Sequence, residues 1–326
     1  RLIKAGRVEK LYLEESEALE VKSENENQLT VCDQLISLTF QFNGEVVFLP
    51  ANSLVKYEFT LESLFHDLVL IRQTNPLIHN ISNLVVMPIT ANILLALGAA
   101  PIMAHAKQEL SDIIQLAQSL VINIGTLDKP WIASIKIGQK AALKCGIPIV
   151  LDPVGAGSSR YRTKTALKIL KRGVHIIRGN ASEIMALTDA TIKTKGVDSM
   201  QTSVNALASA RTLAKKYHCI VVISGKIDFV ISATQTVALN YGTPLLTKVV
   251  GMGCSLTAII ASFLTVNTDA FAASVHATAL MGLVAEYAEK KSIGPGSFYT
   301  QLLDSLYSVQ KTDLQPFITT AIPVCA

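Results

Sequence analysis

Several short stretches of this chain carry residue types at spacings that suit phosphate chemistry. Gly251-Met252-Gly253-Cys254-Ser255-Leu256-Thr257 runs into a strongly apolar segment. Its glycines would let backbone N–H groups converge at a helix N-terminus, a place that favours an anion. Cys254 falls in the first turn, where a helix end lowers a thiol pKa and where the side chain could accept a proton from a bound alcohol. A tight turn holding a small buried thiol is the plainer alternative. Asp152 closes the run Ile147-Leu151, and Pro153 with the glycines behind it delays any helix. That leaves a carboxylate suited to magnesium or, equally, a turn-forming Asp bonded to its own backbone. Glu183 follows Asn180 by three residues, the spacing of a capping box. Arg178 suits nucleotide phosphates or a surface carboxylate, and Ser224 with Gly225 suits a nucleotide or a simple turn. A carboxylate, a second acid, a basic residue and a glycine-rich loop are the parts of phosphoryl transfer, where positioning and charge neutralisation dominate, and Cys254 is the best-placed candidate for the remaining part, a base.

Those residues need a scaffold that gathers strand ends. From Thr60 onward, short β-branched runs alternate with helical patterns, the signature of βαβ units and a mostly parallel sheet. Strands are expected at Pro101-Met103, Leu120-Ile124, Ile147-Leu151, His175-Ile177, Ile220-Ile223 and Val230-Ser232, with amphipathic helices such as Pro130-Cys145 and Val204-Tyr217 between them. Ligands gather outside the carboxyl ends of strands in such sheets, which is where the polar stretches fall. Neither common nucleotide fingerprint occurs: Gly242 to Val249 has Thr247 and Val249 where a Walker A loop needs glycine and a hydroxyl, and Gly155-Ala156-Gly157 lacks a third glycine.

The 326 residues allow one large α/β domain or two smaller ones. With 50% hydrophobic and 17% charged residues the chain is too apolar for disorder, so a membrane origin has to be tested. Pro88, Asn92, Gly98 and Pro101 interrupt the run Pro76 to Ala106, which is expected to be loop, buried helix and strand. Leu256 to Ala285 reads as two buried helices joined by a polar turn. The net charge of +4 is spread without a Lys/Arg run, which marks no nucleic-acid face. Five widely separated cysteines without metal-ligand spacing point to reduced thiols in the cytoplasm. Residues 1–59, with charged stretches around Glu14 and Lys22 and β-like segments at Leu35-Phe40 and Glu45-Leu49, read as an N-terminal extension to a domain at 60–326.

Over residues 60 to 322 the sequence resembles the hydroxyethylthiazole kinases, a ribokinase-like family. The resemblance rests on Asn75-Pro-Leu-Ile-His-Asn-Ile-Ser-Asn83, Thr90-Ala-Asn-Ile-Leu-Leu-Ala-Leu-Gly-Ala-Ala-Pro-Ile-Met103, Asn123-Ile-Gly-Thr126, Leu151-Asp-Pro-Val-Gly-Ala-Gly157, Tyr161-Arg-Thr163, Ile177-Arg-Gly-Asn-Ala-Ser-Glu183, Leu246-Thr-Lys-Val-Val-Gly-Met-Gly-Cys254 and Gly294-Pro-Gly-Ser-Phe298. It implies a layered α/β fold with a central, mostly parallel sheet flanked by helices. The activity it implies is ATP-dependent phosphorylation of 4-methyl-5-(2-hydroxyethyl)thiazole for thiamine synthesis, in a homotrimer with sites at subunit interfaces. By position, Met103, Gly251 and Asn83 would line the thiazole pocket, and Arg178 and Ser224 would contact ATP. Asp152 and Glu183 would hold Mg2+ directly or through water, and Gly253 with Cys254 would be the catalytic pair. Ser224, Val250 and Met252 depart from the residues usual there, and the bulk of Met252 is expected to alter the pocket. Another small-alcohol kinase, acting on a hydroxymethylpyrimidine or a pyridoxal-like substrate, and a non-catalytic thiazole or nucleotide binder are the alternatives.

Overall fold

The computed structural model describes residues 57, 59–188 and 200–318, together with the strand residues 41–42 and 45–46. Gln41–Phe42 pairs antiparallel with Glu45–Val46. The expected segment Leu35-Phe40 lies outside the described residues, as does the rest of Glu45-Leu49.

Eight strands form one sheet: β1 Leu77–Ile81, β2 Ala100–Ile102, β3 Ser119–Asn123, β4 Ile149–Asp152, β5 Ile176–Asn180, β6 Ile220–Ser224, β7 Asp228–Ile231 and β8 Thr236–Leu239. Their order is β8-β7-β6-β5-β4-β3-β1-β2. The six strands from β2 to β6 are mutually parallel, and β7 and β8 add antiparallel at one edge. The sheet is therefore mostly parallel, as expected. Pro101 is tolerated because β2 is the opposite edge, where no further strand needs its missing N–H.

Period-two alternation sends each strand's side chains to two separate cores. Ile78, Val121, Val150, Ile176 and Val222 face one layer with α1 Leu61–Thr74, α2 Met87–Leu97, α8 Met252–Phe263, α9 Ala270–Glu289 and α10 Pro295–Ser308. Leu120, Ile122, Leu151, Ile177 and Val221 face the other layer, with α3 Leu110–Leu116, α4 Lys129–Cys145, α5 Arg160–Arg172, α6 Ala181–Thr188 and α7 Met200–Tyr217. Helix starts are locally encoded: Asp128 accepts the Trp131 N–H at 2.6 Å and Asp269 accepts those of Phe271 and Ala272. Each such cap contributes about 1 kcal/mol.

The run Pro76 to Ala106 resolves into β1, a loop, α2 and β2, and Leu256 to Ala285 into α8, a turn and α9. By length and composition α9 could cross a membrane, yet its faces are buried inside this fold. Two strands escape the sequence pattern. Leu77–Ile81 is disguised by His79 and Asn80, both fully buried, and Thr236–Leu239 is a short edge strand. The strand expected to stop at Ile177 continues to Asn180, because Arg178 pairs with Val222 and Asn180 with Ser224.

Contacts with the core begin before residue 60. The Tyr57 hydroxyl lies 2.9 Å from His276 Nε2, and the other ring nitrogen of His276 lies 2.6 Å from Asp67 Oδ2, which also accepts from Asn267 Nδ2. Tyr57 packs edge-on against Phe271, 5.5 Å between ring centroids. Tyr57→Phe keeps the packing and removes one half-buried hydrogen bond, so denaturant titration is expected to show a loss of about 1 kcal/mol. An unchanged midpoint would mean that Ser63, 3.1 Å from the same nitrogen, satisfies it alone.

Candidate active site

The strand alternation that builds the core also builds the site. Asn123, Asp152, Arg178 and Ser224 lie on the same face of the sheet, at or near the carboxyl ends of four neighbouring parallel strands, and that face is the one covered by α8. Asp152 is 1% exposed. Its Oδ2 accepts from Asn123 Nδ2 at 3.0 Å and from the Thr257 hydroxyl at 3.0 Å, and lies 3.9 Å from Arg178 Nη1. Its Oδ1 is buried with no partner. Burial pushes the Asp152 carboxyl above the usual carboxylate range, against the opposing pull of the Arg178 charge and of the donors around it, Thr257 first.

Arg178 donates through Nη2 to Ser224 Oγ, while its Nε is buried and unpartnered. The guanidinium lies against Gly253, where an added Cβ would sit 2.5 Å from Nη1. Residue 253 is thus glycine because the arginine occupies the space of a side chain. Gly251, the N-cap of α8, has φ 82°, a left-handed conformation that side chains rarely adopt. The first bond of the turn is Ser255 N–H to Gly251 C=O at 2.8 Å, so the N–H groups of Met252, Gly253 and Cys254 precede the helical ladder. Those amides, the helix dipole and Arg178 together suit a multiply charged anion.

Cys254 does sit in this first turn, but its thiol is not activated by it. Burial, followed by the charge of Asp152, pushes the thiol up to about 12, outweighing Arg178 and the bond from Asn123. The expectation of a lowered pKa is corrected: desolvation beside a carboxylate exceeds the helix-end effect of about 1 kcal/mol. Iodoacetamide at pH 8 is expected to label the exposed Cys145 and leave Cys254 nearly untouched in the free protein, read by peptide mass mapping. Rapid labelling of Cys254 would show a thiolate that this geometry does not support.

Glu183 completes the capping box its spacing suggested: Oε2 accepts the Asn180 N–H at 2.9 Å while Asn180 Oδ1 accepts the Glu183 N–H at 2.9 Å. Its Oε1 accepts the Gly155 N–H at 2.7 Å, tying α6 to the loop behind Asp152. Burial, then the charge of Asp152, pushes its carboxyl up. Two desolvated acids whose charges oppose each other, one with a bare oxygen, fit a divalent cation brought in with phosphates. Among the described residues no group of three or more His, Cys, Asp or Glu side chains could hold a metal alone.

Asn83 is brought to the group, with Nδ2 2.8 Å from Asn123 Oδ1 and 3.9 Å from Cys254 Sγ. Met103 is not. It follows the edge strand β2, and two strands separate that strand from β4, a lateral distance of about 14 Å. Met252 turns inward, 4% exposed and packed in the core, so its bulk does not enter the loop's open side, contrary to expectation. Val250 is 56% exposed beside it, as are Leu84 at 66% and Val85 at 59% on the loop that meets Gly251 through Val86. Sequence reasoning missed Asn123, Thr257 and Arg162. Arg162 donates to the carbonyls of Ile124, Val154 and Gly125 at 2.7, 2.8 and 2.5 Å, clamping the loops after β3 and β4 together. The signal for it was its place in Tyr161-Arg-Thr163, one of the matched motifs.

A family model described as the Hydroxyethylthiazole kinase family matches residues 68–312. A protein named hydroxyethylthiazole kinase from Leptospira biflexa serovar Patoc is 45% identical over 250 residues, covering 76% of this chain and 94% of that protein. Its namesake from Nitratidesulfovibrio vulgaris strain Miyazaki F is 41% identical over 263 residues, covering 80% and 98%. The solved structure of a hydroxyethylthiazole kinase protein from Pyrococcus horikoshii OT3 superposes with a TM-score of 0.73 at 38% identity, covering 80% of this chain and 98% of that one. A ribokinase-like superfamily protein from Enterococcus faecalis V583 superposes with a TM-score of 0.53 at 12% identity, covering 78% and 90%, a likeness of fold.

Proposed function

We infer the reaction of this chain from its family: it belongs to the hydroxyethylthiazole kinase family, and it phosphorylates the hydroxyethyl group of 4-methyl-5-(2-hydroxyethyl)thiazole. ATP is the proposed donor. The observation that carries this reading is the pair of buried, unpartnered atoms Asp152 Oδ1 and Arg178 Nε beside the free first-turn amides of α8. Arg178, with Ser224 steering it, and the Met252 to Cys254 amides bind the transferring phosphate. Asp152 and Glu183 are the carboxylates that would hold Mg2+, directly or through water, and the ion would spread the charge of the phosphates.

The thiazole hydroxyl oxygen attacks the terminal phosphorus as the bond from that phosphorus to the bridging oxygen breaks, releasing ADP. Bond-making lags in such transition states, so the hydroxyl proton leaves late. Cys254 serves here as a relay: the hydroxyl proton passes to Sγ while the thiol proton passes to the Asp152 carboxylate, whose charge bears on the thiol. A neutral thiol is competent for that exchange. Gly253 leaves room for the guanidinium, Gly251 sets the turn, and Asn83 faces the acceptor side.

Met103 belongs to a second copy's contribution. The protein assembles as a homotrimer whose neighbouring subunit covers Leu84, Val85 and Val250 and brings its own edge strand to this site. Residues 60–326 are the kinase unit, residues 1–59 an extension that enters it at Tyr57, and the compartment is the cytoplasm, in keeping with free thiols at Cys145, Cys219 and Cys254. The test is ADP release from ATP and Mg2+ with the thiazole, beside hydroxymethylpyrimidine and pyridoxal. Thiazole-dependent release with a phosphorylated product supports the reading, and turnover of another alcohol alone overturns it.

A further inference from the structure

Asn123 is the last residue of β3, fully buried, and stands directly across from Asp152 in the parallel register. The orientation of its amide is fixed by its neighbours. Asn123 Oδ1 accepts from the Gly125 N–H at 2.9 Å and from Asn83 Nδ2 at 2.8 Å, so Nδ2 has to face Asp152 Oδ2, 3.0 Å away. Asn83 is fixed in turn, because its Oδ1 accepts the Val85 N–H at 3.0 Å. Every donor in the series Val85, Asn83, Asn123 therefore points toward one anionic acceptor, and Thr257 donates to that same oxygen from α8. One Asp152 oxygen is held by two donors while the other is left without any.

We propose that Asn123 is a positioning residue that aims the free oxygen of Asp152 at the phosphoryl end of the site and joins that aim to the Asn83 loop on the acceptor side. The proposal rests on the thiazole kinase reading. A buried amide with both ends committed has few alternative rotamers, so the carboxylate it holds is ready before substrates arrive. Its substitution changes what Asp152 does more than what the substrates touch.

The experiment compares wild type, Asn123→Ala and Asn123→Asp for kcat, for KM of thiazole and ATP, for the Mg2+ concentration giving half activation, and for thermal midpoint. Outer-shell partners of this kind are worth roughly 10–100-fold in activity or metal affinity. Expected is a fall of that size in kcat with both KM values near wild type and a raised Mg2+ requirement. Asn123→Asp should be worse than Asn123→Ala, since it sets a second acceptor against Asp152. Unchanged kcat and Mg2+ requirement, or an activity loss matched by the unfolded fraction alone, overturns the proposal. If neither variant folds, Thr257→Val against Thr257→Ser decides, because Thr257 holds the same oxygen: equal kcat in the two overturns it, and lower kcat in Thr257→Val supports it. No thiazole turnover by wild type overturns the reaction instead. Calorimetric Mg2+ titration of the ATP complex then tests the aim of Asp152, with equal affinity in wild type and Asn123→Ala overturning it.

Discussion

Gly253→Ala is expected to fold normally and to lose about 10²-fold or more in kcat/KM for ATP, the scale of removing one preorganised donor from a developing charge. The added methyl would meet Arg178 Nη1 at 2.5 Å and Nη2 at 2.7 Å. What has to move is the far end of a long side chain, so the backbone is spared. The guanidinium, however, is held to Ser224 and sits beside Asp152, and swinging it away breaks the first contact and removes the nearest positive charge from the second. Alanine gains up to about 1 kcal/mol as a helix former at this position, which offsets the lost hydrogen bond of similar size. Thermal midpoint and steady-state kinetics on the same preparation separate the two effects. Wild-type kcat/KM for ATP would mean that Arg178 is not needed where it stands.

Asp152→Asn is expected to cost about 10³-fold in kcat, within the range for a positioned proton acceptor, while the folded protein becomes no less stable. The sign follows from the raised carboxyl. Folding binds the proton of Asp152 more tightly than the unfolded chain does, so above the unfolded carboxylate pKa of about 3.9 the charged side chain costs the native state stability. That cost is present at pH 8 and disappears as pH falls toward the unfolded value. Asparagine carries no charge to desolvate and can still accept from Asn123 and Thr257. Denaturant unfolding should therefore favour the variant more at pH 8 than at pH 4.5. A variant that is clearly less stable at pH 8 would show that the contact with Arg178 outweighs desolvation.

Much of the scaffold was legible because its strands are fully buried apolar runs: Leu120, Ile122, Val150, Val221 and Val222 announce themselves without alternation. Where the chain places buried polar groups for the site, the same signal fails. His79 and Asn80 hide β1, and Arg178 to Asn180 looked like a loop because an arginine and an asparagine seldom end a central strand. The Glu183 box was readable from spacing alone, since its partners are three residues apart and local. Asn123 could be quoted within a motif but not given work, because its three partners are residues 83, 125 and 152, and only the fold brings 83 and 152 to it. The Cys254 thiol was misjudged for a related reason. Proximity to a helix start is visible in sequence, while the depth of burial and the facing carboxylate are not.

Of the twelve residues of Met252–Phe263, only Gly253 and Cys254 are not buried. The catalytic turn is consequently the half-buried tip of a piston cast into the centre of the molecule. Such a tip cannot flex without disturbing both α2 and the sheet, so amide hydrogens along the helix should exchange only when the whole protein opens. Nucleotide binding would then leave exchange deeper in the helix unchanged and protect the tip amides alone. Any slow step gated by motion would have to reside in the surrounding loops.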